Sequence, residues 1–227
     1  HITAYPDIVT ACEIKSQLSE QDIVKEVVYF EHTDSTNNEA KRDAEKNAAD
    51  GTLYITESQS AGKGRRGRQW LSPAGSGVWM SLLLRPQLEP RFASMLTIVA
   101  AVAVVEAIQQ EIELDCKIKW PNDIVVNKHK VCGILTEMSA EMEQINHVVI
   151  GIGINVNTED FDDSIKDMAS SLYRETGVHV KRSSLIAGFV KSFTGYYQKF
   201  LETKDLSSLL DVYNKMLINR NQQVKII

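Results

Sequence analysis

Along Gly77–Leu84 the chain alternates, with Val78, Met80, Leu82 and Leu84 on one side and Trp79, Ser81 and Leu83 on the other. A period of two is that of a pleated strand. β-Branched and aromatic runs predict further strands over 27–30, 52–57, 117–120, 123–126, 131–138 and 145–156. The polar turn Asn127, Lys128, His129, Lys130 joins two of them as a hairpin. Helical signals predict a short capped helix within residues 6–18 and one opened by Asp34, Ser35, Thr36 and Asn37 that runs to Ala49. A strongly apolar helix follows over 91–111, then helices over 183–202, with Ser183 as N-cap, and over 205–217. Strands mixed with helices, without strict alternation, predict an α+β fold: a mixed, largely antiparallel sheet flanked by helices. Gly151 and Gly153 interrupt the last strand, which suggests close approach by another backbone or a ligand.

The 227 residues are 43% hydrophobic and 24% charged, an ordinary globular composition. The longest apolar run, 98–105, is far short of the ~20 residues of a membrane span, and the start lacks a signal-peptide layout. The expected setting is the cytoplasm, away from membranes. Cys12, Cys116 and Cys132 show no ligand spacing and read as small buried apolar residues, and the five histidines are scattered. No metal site of the chain's own is expected; a divalent ion would arrive with a nucleotide. The chain opens on His1 and closes on strand-like Val224 to Ile227, so it reads as a fragment of a longer protein.

Against a formal net charge of −5, the run Gly62-Lys63-Gly64-Arg65-Arg66-Gly67-Arg68-Gln69-Trp70 stands out. Glycines free the backbone to turn N–H groups toward a ligand, and the cations supply charge and forked donors for phosphate or carboxylate oxygens. The run contains G-x-G-x-x-G, but Ser72-Pro73-Ala74-Gly75 follows where a dinucleotide-binding turn needs a helix. A solvated basic run that touches nucleic acid nonspecifically is the plainer alternative. Lys119-Trp120-Pro121-Asn122-Asp123 breaks one strand and starts the next on two polar residues.

Together these segments, with Asp34-Ser35-Thr36-Asn37, Lys130 before Gly133-Ile134-Leu135-Thr136-Glu137, and Gly151-Ile152-Gly153-Ile154-Asn155-Val156-Asn157, resemble biotin protein ligases of the bifunctional ligase/repressor type. The resemblance covers residues 27–217 and implies the class II aminoacyl-tRNA-synthetase-like fold of biotin/lipoate ligase catalytic domains. It implies residues 1–26 as the remnant of an N-terminal wing and linker helix, and 218–227 as the start of an SH3-like domain. The implied activity joins biotin to ATP, with Mg²⁺, as biotinyl-5'-AMP and passes biotin to one lysine of a biotin carboxyl carrier protein.

The resemblance also implies roles. Lys130, Arg65 and Asp123 form the catalytic set, Asp123 either orienting the acceptor amine or holding Mg²⁺. Lys63, Gly64, Arg65 and Lys130 surround the biotin carboxylate and the adenylate phosphate, Gly133 lies beside them, and Ser35, Thr36, Asn37 and Gln59 satisfy the ureido ring. Trp70 offers a face to adenine and Asn155 an amide to its edge, while Arg66, Arg68, Lys119 and Asn122 serve the nucleotide. Lys63 stands where the family usually has Arg, so the planar fork is lost there and the backbone carries more of the contact. Alternatives are a lipoate or octanoate ligase and a biotin-sensing repressor module. DNA contact is expected only through an N-terminal domain outside this sequence, and edge-to-edge pairing of sheets implies a homodimer.

Overall fold

The computed structural model describes residues 7–220. The helix read near the start is short, α1 (Ala11–Lys15), and the chain then enters β1 (Glu26–Thr33). Next come α2 (Thr36–Ala44), β2 (Thr52–Gln59), β3 (Gly77–Leu84) and α3 (Met95–Ile112), then β4 (Lys117–Lys119), β5 (Asp123–Val126), β6 (His129–Glu141) and β7 (Gln144–Asn155). The chain ends through α4 (Leu172–Thr176), α5 (Arg182–Thr203) and α6 (Leu210–Met216). The seven strands form one sheet in the order β1-β2-β3-β7-β6-β5-β4. β1 and β2 are parallel, joined by the α2 crossover, and every other neighbour pair is antiparallel. The mixed, largely antiparallel sheet expected from the pattern is the one found.

The two faces of the sheet have different fates. On one, α3 and α5 pack together over Val78, Met80, Leu82, Ile150, Ile152 and Ile154, making the main core. Fully burying side chains such as Phe189, Phe193 and Phe200 contributes roughly 1.5–3 kcal/mol each. Residues 90–112 are long and apolar enough to cross a membrane, yet this segment packs under α5 as the core helix. On the other face, among the described residues, α2 is the helix docked, its Ala40 and Ala44 over Tyr54, Leu83 and Val149. The rest of that face stays open and carries the candidate site.

Several boundaries move for identifiable reasons. α2 stops at Ala44, not Ala49, because Asn47 turns left-handed (φ 63°) and Arg85 donates to the carbonyls of Ala44 and Ala48. Ser183 is not the N-cap of α5: Lys181 holds that position, and Ser183 is buried in the first turn. The last predicted helix is broken by a 3₁₀ turn at Ser207–Leu209, and α4 was not anticipated. Cys116 and Cys132 are buried as expected, but Cys12 is exposed. Of the segments assigned to a wing and linker (1–26) and to the start of an SH3-like domain (218–227), residues 1–6 and 221–227 lie outside the described residues.

Candidate active site

Three glycines make the floor of the open face. Gly133 of β6 pairs across from Gly153 of β7, and Gly151 lies two residues further along β7 on the same side. A Cβ on Gly151 would sit 2.1 Å from Asn37 Oδ1, and one on Gly153 2.6 Å from Trp70 Nε1. A Cβ on Gly133 would meet the Trp70 ring at 2.8 Å and Lys130 Cε at 3.0 Å. Missing side chains thus create a trough that Asn37, Trp70 and Lys130 enter from above.

One end of the trough is polar and uncharged. Asp34 accepts from Ser35 N and Asn38 Nδ2 and pairs with Arg42, which fixes the first turn of α2. The Arg42 guanidinium holds the Asp34 carboxyl well below the usual carboxylate range. That turn seats Ser35, Thr36 and Asn37, all buried, over the sheet. Gln59, at the end of β2, accepts from Thr36 N at 2.9 Å and donates through Nε2 to Ser72 Oγ at 2.7 Å.

The other end is cationic. Residues 62–70 form a tight hairpin in which Trp70 N donates to Gly62 O and Gly64 N to Arg68 O, and Lys63 bridges Gln69. Arg65 Nη1 donates to Asn122 Oδ1 at 2.9 Å, tying the loop to the segment between β4 and β5. Lys63 Nζ turns to Asn38 Oδ1 at 2.6 Å. Lys130 Nζ lies 2.7 Å from Asp123 Oδ1, an ion pair whose angles miss hydrogen-bond geometry, and 5.0 Å from the centre of the Trp70 ring. A β-bulge opposite Val125 puts Lys130 on the glycine side of β6, which strict alternation from Gly133 would not.

Ser35, Thr36, Asn37, Gln59, Lys63, Gly64, Arg65, Trp70, Asn122, Lys130 and Gly133 all line this cleft. Asp123 stands behind Lys130. Arg66, Arg68 and Lys119 are exposed and outside it. Asn155 is outside it as well, buried with its Nδ2 donating to Ser170 O at 3.1 Å. The four-residue turn expected at 127–130 is only Asn127-Lys128, both with positive φ, and Lys130 belongs to β6. Sequence reading gave no role to Lys41, Ser81 or Glu137, which lie beneath Asn37. Ser81 carried one visible signal, a lone hydroxyl inside a strand buried along its whole length.

The free volume of the cleft is only about 40 Å³. A dry cavity of about 150 Å³ holds benzene, so a larger ligand requires side chains over the trough to move, and the Trp70 ring above Gly133 and Gly153 is the bulkiest of them. Trp70 Nε1 is buried without a hydrogen-bond partner. A second groove of about 500 Å³ adjoins the cleft, sharing Arg65, Asn122, Ile134 and Leu135 and walled by Met95, Trp120 and Met138.

A mixed sheet with helices on one face and a glycine-floored cleft on the other is the class II aminoacyl-tRNA-synthetase-like catalytic fold. The description of the biotin/lipoate A/B protein ligase family matches residues 29–155, and the chain belongs to that family. It is 40% identical over 198 residues to the bifunctional ligase/repressor BirA of Bacillus subtilis (strain 168), covering 86% of this chain and 61% of that one. The chain thus spans about three fifths of that relative's length. The biotin protein ligase of Aquifex aeolicus, solved in complex with biotin and ATP, superposes with a TM-score of 0.74 at 31% identity, covering 86% of this chain and 79% of that chain. The Leishmania major biotin protein ligase with biotinyl-5-AMP shares the fold at a TM-score of 0.70 and 19% identity, covering 89% of this chain and 85% of that chain.

Proposed function

We propose that this protein activates biotin with ATP and transfers it to a lysine of a carrier protein. One observation carries the reading: a single trough has the neutral groups of Ser35, Thr36, Asn37 and Gln59 at one end and Arg65 and Lys130 at the other, with Lys63 lining it while tied to Asn38 of α2. Biotin has that polarity. Its ureido ring needs paired partners once buried, and its carboxylate needs cations.

Bringing that carboxylate to the α-phosphate of ATP opposes two anions, at a cost of about 4 kcal/mol for unit charges 4 Å apart with an effective dielectric near 20. Lys63, Arg65 and Lys130 offset it. A carboxylate oxygen attacks the α-phosphorus, the bond to the bridging oxygen breaks, and diphosphate leaves. In this reading Lys130, its Nζ held by Asp123 at 2.7 Å, takes the charge that builds up in the transition state. Mg²⁺ accompanies ATP in this reading and neutralises its phosphates.

In the second step the acceptor amine, after losing a proton, attacks the acyl carbon, AMP leaves, and an amide remains. The adjoining groove is the path for the carrier lysine, since it opens onto Arg65 and Asn122 at the cationic end. In this reading the chain works in the cytoplasm.

Native mass spectrometry after incubation with MgATP and biotin, octanoate or lipoate tests the reading. Retention of biotinyl-AMP with biotin alone is the expected result. An adenylate of another acid, or none with any acid, would overturn it.

A further inference from the structure

Beneath Asn37 a chain of hydrogen bonds runs from a charged pair to the cleft. Glu137 of β6 receives Lys41 Nζ on Oε1 and Asn37 Nδ2 on Oε2, both at 2.7 Å. Asn37 Oδ1 lies 2.6 Å from Ser81 Oγ, and Ser81 Oγ lies 2.7 Å from Thr36 Oγ1. Ser81 is fully buried, and Asn37 and Thr36 are nearly so, so water cannot relieve a wrong pairing.

The direction of each bond follows from the carboxylate. An ionised carboxylate only accepts, so Asn37 must turn its amide nitrogen to it and its carbonyl to Ser81. A carbonyl has no proton, so the Ser81 hydroxyl donates to Asn37. Its single proton is then spent, and the short contact to Thr36 requires the Thr36 hydroxyl to donate to Ser81. Thr36 Oγ1 is left with a free lone pair at the cleft, where it accepts and cannot donate. Gln59 Oε1, which accepts from Thr36 N at 2.9 Å, also lies 3.3 Å from Thr36 Oγ1, so the Thr36 proton goes to the shorter 2.7 Å contact with Ser81.

We infer that Glu137, held by Lys41, is a positioning residue for ligand specificity: through Asn37 and Ser81 it makes Thr36 an acceptor for a ligand N–H. This rests on the biotin reading, in which a ureido N–H is the donor. The relay selects a cyclic urea against a ring that presents oxygen at the same point.

Glu137→Gln reverses the chain. Lys41 has only donors and takes the new carbonyl, which turns the Gln amide nitrogen toward Asn37. Asn37 flips to accept, its nitrogen now faces Ser81, and the Ser81 proton moves to the Thr36 side. Thr36 then keeps its own proton, free to turn from the long 3.3 Å contact with Gln59 Oε1 to a ligand oxygen in the cleft.

The test is calorimetric binding at pH 8 of biotin and of the two cyclic carbamate analogues, each with one ureido N–H replaced by ring oxygen. Wild type is expected to bind at least one carbamate about tenfold or more weaker than biotin. In Glu137→Gln that gap should close or invert, with the change carried by the loss of biotin affinity. A gap unchanged in the variant, an equal loss for all three ligands, or a wild type that treats both carbamates like biotin would each overturn the proposal. A wild type that binds no biotin would fail at the earlier step and remove the biotin reading itself, so the two failures are distinct.

Discussion

Lys130 shows how much a single side chain depends on its surroundings. A lysine at the edge of a polar turn is ordinarily solvated, and only the bulge in β6 together with Asp123 aims this one across Gly133 at the cationic end of the trough. Lys130→Ala is expected to slow adenylate formation by about 100-fold or more while biotin binding remains measurable. Single-turnover kinetics and calorimetry check the two halves separately; wild-type turnover would remove Lys130 from the mechanism. Gly151 makes the opposite point, since its missing side chain is its contribution. Gly151→Ala would drive a Cβ into Asn37, shifting the polar end and weakening biotin about tenfold or more, with a stability loss of about 1–3 kcal/mol. Calorimetric binding and denaturant titration measure both. Trp70 was legible from composition as an aromatic beside a cationic loop, but its place over Gly133 and Gly153 was not, because the contact joins residues more than 60 positions apart.

At the level of elements, α2 and the glycine-floored strands act as one unit through Lys41, Asn37 and Glu137. Burial works to raise the Glu137 carboxyl, but the Lys41 and Asn37 hydrogen bonds outweigh it and hold the group below its ordinary value. A carboxyl lowered on folding stabilises the fold above its unfolded pKa and loses that contribution as pH falls through the folded one. In Lys41→Met the burial cost stands with less to oppose it. The melting-temperature gap between wild type and variant should therefore be widest near pH 7 and shrink as pH drops below about 4. Thermal melts across that range check it, and a gap independent of pH would show that Glu137 draws nothing from Lys41. Every strand was readable because periodicity is local, and so was every helix except α4, whose five residues are too few to show a period. The end of α2 was not, since it depends on Arg85 reaching back from the end of β3. The N-cap of α5 was misread because Ser183 is drawn inward toward Glu13.

Across the molecule, buried Arg182 at the start of α5 joins distant parts of the chain. It pairs with Asp7 at 2.6 Å and Glu57 at 2.8 Å and donates to Gly77 O, while Glu57 also accepts from Gly75 N in the stem of the basic loop. Arg182→Ala leaves two carboxylates without their partner and is expected to cost roughly 3–5 kcal/mol in denaturant unfolding. The basic loop above this anchor carries Gly62, Gly64 and Gly67, and any part of its backbone that a ligand orders costs about 1–2 kcal/mol per residue. If biotin bears that cost first, ATP should bind more tightly in its presence. Calorimetry with and without biotin decides it, and equal affinities would exclude the coupling.

What the residues alone determined was the inventory: a mixed sheet, an anion-holding loop, a strand interrupted by Gly151 and Gly153, and the cations to serve them. Backbone preference and side-chain chemistry are properties of short segments, and they survive without a fold. What only the tertiary structure decided was assembly and direction. It alone showed that the three glycines share one face and that a bulge turns Lys130 toward them. It alone left Asn155 outside the cleft and set Glu137 under Asn37. Those outcomes depend on which strands become neighbours and in what register, and no local pattern carries that information because a one-residue shift reverses every face.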